Sequence, residues 1–542
     1  MQALDAKDPK ANTAEKGVIL DIASSLVSLL SALAEAQDDI LEAISANSAI
    51  LLMIVGLITR EAQAEGGVPS LLELESLNCL MVLTEDNTPL AKTITKSDCL
   101  AKLLQLKDKA DGPGVLACGV LHNVSASLSD STEDTSTFND ALLIPTLAKT
   151  LTQATESRPQ VDGAGTFLDP IVCQQHAVEI LASIGTNLTA AAVEDEKAAS
   201  RSSRKTKQTN GDAKTDNEDE DMEVDDVDGD SASEGEDGGE GDDEEEEDDE
   251  MDEDEMAADM DMVTGPDEPE NDIHALDDLP ALKALISTSA IKHLVRIAAL
   301  APSDDLSLQL QSLALSALGN IAWSVSLIDF SDPHNKPIRA AWAPVATAIW
   351  EQGISPILAS DTADLALATR VTSLAWAVAR TLHGDGAPLK PGEHRRFIAL
   401  YQATKGSGAV TEEEAGDPFQ ALGVKCVGVL GQLALHPAPL DLNREVGTFL
   451  VTAVASLPET PAADAVEALN QIFDIYGDED YPYDKDVFWQ GGFLKHLEEA
   501  VPKAKAMLKT VDKRAQPELR ARADEAVLNL GRFLGYKKKH QS

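Results

Sequence analysis

Two groups of residues in this chain carry types and spacings suited to chemistry, and in both the chemistry is that of holding a ligand. The first group is aromatic. Asn320 and Trp323 lie three residues apart in SLALSALGNIAWSV, on adjoining positions of one helix face. Trp376 takes the comparable place in the later segment RVTSLAWAVARTLHG, and Trp342 and Trp350 fall between them. Indole faces attract cations, and Asp329 and Asp332 nearby add charge for a basic ligand. Taken singly, each ring reads as core packing. Taken as a set around Asn320, they form a candidate ladder for an extended peptide.

The second group is acidic. From Glu218 to Asp261, 28 of 44 residues are Asp or Glu and none is Lys or Arg. So dense a run buries too little apolar surface to offset its ordering entropy, and predicts a flexible arm. It reads either as a solubilising tether or as a ligand for a basic protein surface. The candidate contact residues are Asp242, Asp243, Glu244, Glu245, Glu246, Glu247, Asp248, Asp249, Glu250, Met251, Asp252, Glu253, Asp254, Glu255, Met256, Asp259, Met260 and Asp261. Met251, Met256, Met260, Met262 and Val263 supply apolar anchors that a plain tether does not need. The expectation is a short helix from Glu244 to Met262 once a partner neutralises the charge. Phosphorylation of Ser231 or Ser233, each with acids downstream, would only deepen that charge.

Catalytic patterns are missing. There is no P-loop, zinc-ligand cluster or Gly-rich dinucleotide fingerprint, so no cofactor or metal is expected. The acid run lacks the spaced Gly and turn ligands of a calcium loop. His122, His176 and His293 fall inside helical patterns, where structural roles are expected. An enzyme is therefore the weakest functional class.

Composition narrows the rest. The 542 residues carry a formal charge of -51; residues 211–278 hold 36 acids and one Lys, or -35, which leaves -16 for the remainder. Such a field repels phosphate and anionic lipid and attracts basic protein, which argues against direct nucleic-acid or membrane partners. Only 4% of residues are aromatic while 43% are hydrophobic, a balance that favours helices over a sandwich or barrel. Five cysteines without a Cys-x-x-Cys pair read as reduced core residues.

The elements that must position these groups repeat along the chain. LESLNCLMVLTED and GVLACGVLHNVSAS match about 41 residues apart, with Ser76 set against Ala117. That period falls in the armadillo and HEAT range, whose units stack helix pairs or triplets of roughly 40–47 residues. In the second half Ala314, Leu318 and Ile321 share a face, and Gly319 is expected to permit close helix approach. Later segments, ALGVKCVGVLGQLALH, AADAVEALNQIFDIYGD and RARADEAVLNLGRFLGYKKK, continue the character. The expected fold is all-α: a right-handed superhelical α-solenoid with armadillo-like repeats over 1–195 and HEAT-like repeats over 279–542. The acidic insertion occupies 196–278, opening with a basic knot of Arg201, Arg204, Lys205 and Lys207.

An armadillo-type half, a long acidic insertion, a HEAT-type half with ALGNIAWSV and a basic end LNLGRFLGYKKK together resemble the symportin family. These are adaptor-chaperones of ribosomal proteins. The resemblance spans nearly the whole chain, with its specificity in Ala317 to Val325, Asn529 to Lys539 and the place of the acid run. It implies two basic large-subunit ribosomal proteins, those that associate with 5S ribosomal RNA, as joint cargo for nuclear import. One cargo's N-terminal peptide would occupy the groove around Asn320, Trp323 and Trp376. The other would be shielded with help from Asp242 to Asp261. It further implies an adaptor shuttling between cytoplasm and nucleus, monomeric apart from cargo. The family's basic, Pro-Tyr-type import signal has no counterpart before Gly17, so the expectation is a shortened chain that misses the import receptor by that route. The alternative is a histone chaperone or general import factor with the same folds and acid tract.

Overall fold

The computed structural model describes residues 13–59, 71–129, 135–153, 170–188, 275–360, 364–383, 386–407 and 417–540. Among them every regular element is helical. Nine helices form a ladder in which each packs on the next. They are α1 (Thr13–Ala36), α2 (Leu71–Thr84), α3 (Gly112–Ser127), α4 (Pro170–Thr186), α5 (Asp305–Val325), α6 (Leu365–Thr381), α7 (Leu422–Ala434), α8 (Ala462–Tyr476) and α9 (Pro517–Lys539). The helices between them form a covering layer. The fold is an all-α solenoid of stacked repeats, as the sequence predicts.

A repeated hydrogen-bond clasp sets the register of the ladder. Asn123 Nδ2 of α3 donates to the Met81 carbonyl of α2 at 2.9 Å, and Ser127 Oγ donates to the Thr84 carbonyl at 3.3 Å. On α5, Asn320 Nδ2 donates to the Ala182 carbonyl of α4 at 3.1 Å, and Ser324 Oγ to the Gly185 carbonyl at 2.7 Å. In both pairs donor and acceptor numbers rise together, so neighbouring ladder helices run parallel. The acceptors lie in the last turns of α2 and α4, where carbonyls run out of backbone N–H donors; those of Met81 and Ala182 also accept from Thr84 Oγ1 and Thr186 Oγ1. Each Asn-x-x-x-Ser pair therefore caps the helix before it.

The ladder is continuous across the acidic segment, because α4 packs directly on α5. The covering layer is continuous as well. Helix Asp140–Gln153 packs on α3 and α4, and helices Pro280–Ser287 and Ala290–Ala299, from beyond the segment, pack on that same helix. The close approach at this joint is made by Gly185: a Cβ there would fall 2.8 Å from Ile321 Cγ1. Gly319, expected to serve this purpose, faces open space, since a Cβ there would meet nothing within 4 Å. The clasp turns the Asn320–Ser324 side of α5 toward α4 and leaves Gly319 off the contact.

By length and composition α1 is apolar enough to cross a membrane over Gly17–Ala36. In the fold it is a ladder helix, with Ser24, Val27, Ser31 and Ala34 buried at three- and four-residue spacing and α2 packed on it. At the other end, the basic run 537–539 is only partly a solvent tail. Lys537 is 1% exposed, and its Nζ donates to Asp484 Oδ1 at 2.6 Å. The other carboxylate oxygen of Asp484 accepts from Trp489 Nε1 at 2.9 Å. All five cysteines are buried, and none is in a disulfide.

Candidate peptide-binding site

The aromatic group begins with α5, which opens on a reciprocal cap: Ser307 N donates to Asp304 Oδ1 at 2.8 Å and Asp304 N donates to Ser307 Oγ at 3.1 Å. Because Asn320 and Ser324 turn to α4, Trp323 is directed toward α6, where it stays 40% exposed. There it meets Trp376 edge-on, ring centroids 5.7 Å apart at 75°. Trp376 is seated on α7 at Gly428, where a Cβ would come within 2.3 Å of its Cε2. One turn further along α6, the Arg380 guanidinium lies 5.0 Å from the Trp323 ring centroid.

The row continues across the next helices. Arg380 interacts electrostatically with both Glu467 and Asp474 of α8, and Arg522 of α9 acts on Glu467 as well. Arg522 also lies over the Phe419 ring at 4.2 Å. The site is thus an exposed indole, a cation, a pair of carboxylates and a second cation, spread over α5 to α9. Burial raises the Glu467 carboxyl above its usual range; the Gln471 hydrogen bond and the two arginines oppose that, while Asp474 adds to it. Asp474 is raised by surrounding protein too, yet its side chain is open to solvent. Such a combination belongs to a recessed surface that a cationic guest could enter.

A consequence for pH follows. An acid whose folded-state pKa lies above its unfolded value binds extra protons when folded, so it makes stability fall as pH rises between the two values. Replacing Glu467 by glutamine is expected to flatten the decline above pH 4.5, measured by thermal unfolding across pH 4–8. An unchanged profile would show that Glu467 is not the titrating group.

The candidate residues do not all converge. Asn320 is consumed by the clasp, with a further hydrogen bond to Thr186 Oγ1 at 3.1 Å. Asp329 and Asp332 are exposed and order the turn after α5. Asp329 Oδ1 accepts from Ser331 N and Oγ at 2.8 and 2.6 Å, which holds its carboxyl below the usual range. Asp332 Oδ1 accepts from His334 N at 2.8 Å. Trp342 and Trp350 are fully buried in the covering layer, in and just after helix Lys336–Ile349, so neither ring reaches a guest. The Trp350 ring packs against Phe397 of helix His394–Ser407, centroids 6.4 Å apart. The four-ring ladder is, at the surface, the pair Trp323 and Trp376. The acidic-arm candidates, Asp242 to Asp261, lie outside the described residues. Sequence reasoning missed Arg380, Glu467, Asp474 and Arg522; the four-residue step from Trp376 to Arg380 was the available signal.

One constellation has the connectivity of a catalytic triad. His122 Nδ1 lies 2.7 Å from Asp140 Oδ1, and His122 Nε2 lies 2.9 Å from Ser183 Oγ. Ser183 sits within α4, where backbone N–H groups are committed to the helix and offer no oxyanion hole. The trio joins α3, α4 and the helix Asp140–Gln153. It is a structural bridge between these three helices. Among the described residues no group of three or more His, Cys, Asp or Glu is placed to hold a metal.

Comparison with known proteins gives the same direction. The family described as "SYO1-like, TPR repeats" matches residues 305–541, the part that contains the whole aromatic and charged row. Symportin 1 of Chaetomium thermophilum is 44% identical over 554 residues, covering 100% of this chain and 80% of that protein. The Schizosaccharomyces pombe "armadillo repeat protein involved in nucleocytoplasmic transport Syo2" is 36% identical over 169 residues, 31% of this chain and 23% of its own. "Synchronized import protein 1" of Saccharomyces cerevisiae is 33% identical over 171 residues, 31% of this chain and 27% of its own. With full coverage at that identity, and with the stacked-helix fold to match, the chain belongs to the symportin family.

Proposed function

We propose that this protein is a transport adaptor and chaperone for newly made ribosomal proteins, and that its cargo is the pair that associates with 5S ribosomal RNA. Family membership supports the adaptor role; the row from Trp323 to Arg522 is the observation that carries the binding mode. A basic, extended segment of one cargo would lie across α5 to α8, placing cationic side chains against Trp323, Glu467 and Asp474. Arg380 and Arg522 would in turn meet its carbonyl or acidic groups. The acidic insertion would screen the other cargo's RNA-binding surface. Complex formation would be steered by charge and weaken as salt rises, and RNA would release the cargo by competition, without hydrolysis. The adaptor would move between cytoplasm and nucleus with its load.

Capture from cell extract by the intact chain, and by a version lacking residues 205–270, tests this. Two 5S-associated ribosomal proteins on the intact chain, with one lost from the deletion, support the proposal. Histones or importins as the dominant species would overturn it. For the groove, Trp323→Ala is expected to weaken binding of the cargo's basic segment by about 1–3 kcal/mol, roughly 5- to 150-fold, as for other aromatic anchors. Calorimetric titration reads this directly, and an affinity within twofold of the parent would remove Trp323 from the site.

A further inference from the structure

The charge of this chain is segregated. Against -51 overall, residues 493–542 hold twelve Lys and Arg and six Asp and Glu, a net +6. These residues form helix Phe493–Thr510, the turn after it and α9, the terminal hairpin of the stack. Within it, residues 502–517 hold five cations and one acid.

Half of the hairpin's twelve cations are already engaged, Lys495 with Glu499 among them. Lys537 is buried on Asp484, Lys538 pairs with Glu498, Arg520 with Asp524 and Arg522 with Glu518. Lys503 donates to the Ala455 carbonyl. Lys505, Lys509, Lys513 and Arg514 differ: their side chains are exposed and pair with no acid among the described residues, as is also true of Arg532 and Lys539 on α9. Lys505 and Lys509 are one helical turn apart on a single face, and Lys513 and Arg514 follow in the turn beyond it. The acid among them, Asp512, uses Oδ1 to accept from the backbone N–H groups of Arg514 and Ala515, which fixes that turn. No large hydrophobic residue is exposed between Tyr481 and Leu528. A protein partner would need an apolar centre to its interface, whereas a phosphate backbone does not.

We propose that Lys505, Lys509, Lys513 and Arg514 form a docking surface for the sugar-phosphate backbone of RNA. The choice of RNA over DNA rests on the reading above, in which RNA replaces the adaptor on its cargo. The patch would hold the incoming RNA near the complex while its bases remain unread. Whole-chain charge argues against nucleic acid, but screening over about 8 Å at physiological salt lets a remote basic end act locally.

The test is fluorescence anisotropy of the full chain with a labelled single-stranded RNA, a DNA of the same sequence and a poly-glutamate peptide. For four phosphate contacts, the slope of log affinity against log salt is expected near about -3, an affinity loss of roughly 50-fold between 50 and 200 mM. The variant Lys505→Gln/Lys509→Gln/Lys513→Gln is expected to weaken RNA binding tenfold or more and to reduce the slope by about 2. Its thermal unfolding and its capture of basic cargo should match the parent, which separates this surface from the groove. The idea is overturned if RNA fails to bind at 50 mM salt, if the variant binds RNA as the parent does, or if DNA or the acidic peptide binds more tightly than RNA.

Discussion

Replacing Lys537 by alanine is expected to destabilise the C-terminal end of the stack by about 3–5 kcal/mol. The ammonium is enclosed by Asp484 and by the rings of Phe488 and Phe533, 5.4 and 5.7 Å from Nζ. Removing it leaves a carboxylate that is nearly as buried and still holds Trp489, with no cation to balance it. The cost is that of an uncompensated internal charge, well above the loss of an exposed pair such as Lys495 and Glu499. Because repeats contact only their neighbours, the loss should show as early exchange of amides in α8, α9 and the helix between them. The double variant Lys537→Met/Asp484→Leu should recover most of it, since an apolar pair of similar volume pays no desolvation. If Lys537→Ala leaves hydrogen exchange there unchanged, the lysine is not internal in solution.

Trp350→Ala is expected to cost a similar amount, about 3–5 kcal/mol, from the cavity left by a fully buried ring. The indole also has a polar task. Its Nε1 donates to Glu393 Oε2 at 3.2 Å, and Ser355 Oγ and Lys390 N supply the other bonds to that buried carboxylate. Trp350→Phe keeps most of the volume and removes only this donor, so about 1–3 kcal/mol is expected from the lost bond to a buried carboxylate, with Lys390 N still donating to the same oxygen. Chemical denaturation of the two variants separates packing from polar satisfaction. A Trp350→Phe variant as stable as the parent would show that Glu393 does not depend on the indole.

How much of this was legible in the residues depends on what each one touches. The helices and their buried faces follow from apolar spacing alone, and Ala314, Leu318 and Ile321 are all fully buried. Trp323 and Trp376 were readable as partners because both follow an alanine in comparable helices. Trp342 and Trp350 were not separable from them, since sequence shows a ring but not the layer above it. Asn320 reads as a ligand-facing amide until its acceptor on α4 is known, 138 residues away in sequence. The matching Asn123 and Ser127 held the clue, an Asn-x-x-x-Ser repeated in equivalent helices. Lys537 stands in a run of three lysines, and nothing local distinguishes the buried one from its neighbours.

The direct contact of α4 with α5 has an evolutionary consequence. Among the described residues the two halves are joined by the direct packing of α4 on α5, so lengthening the segment between them costs the fold through loop closure. Doubling it would add only about 0.6 kcal/mol of closure entropy. Its length and charge are therefore free to drift with whatever surfaces the cargo presents, while Gly185, Ile321 and the Asn320 clasp are held fixed by geometry. Lineages should differ most in the segment that costs the architecture least.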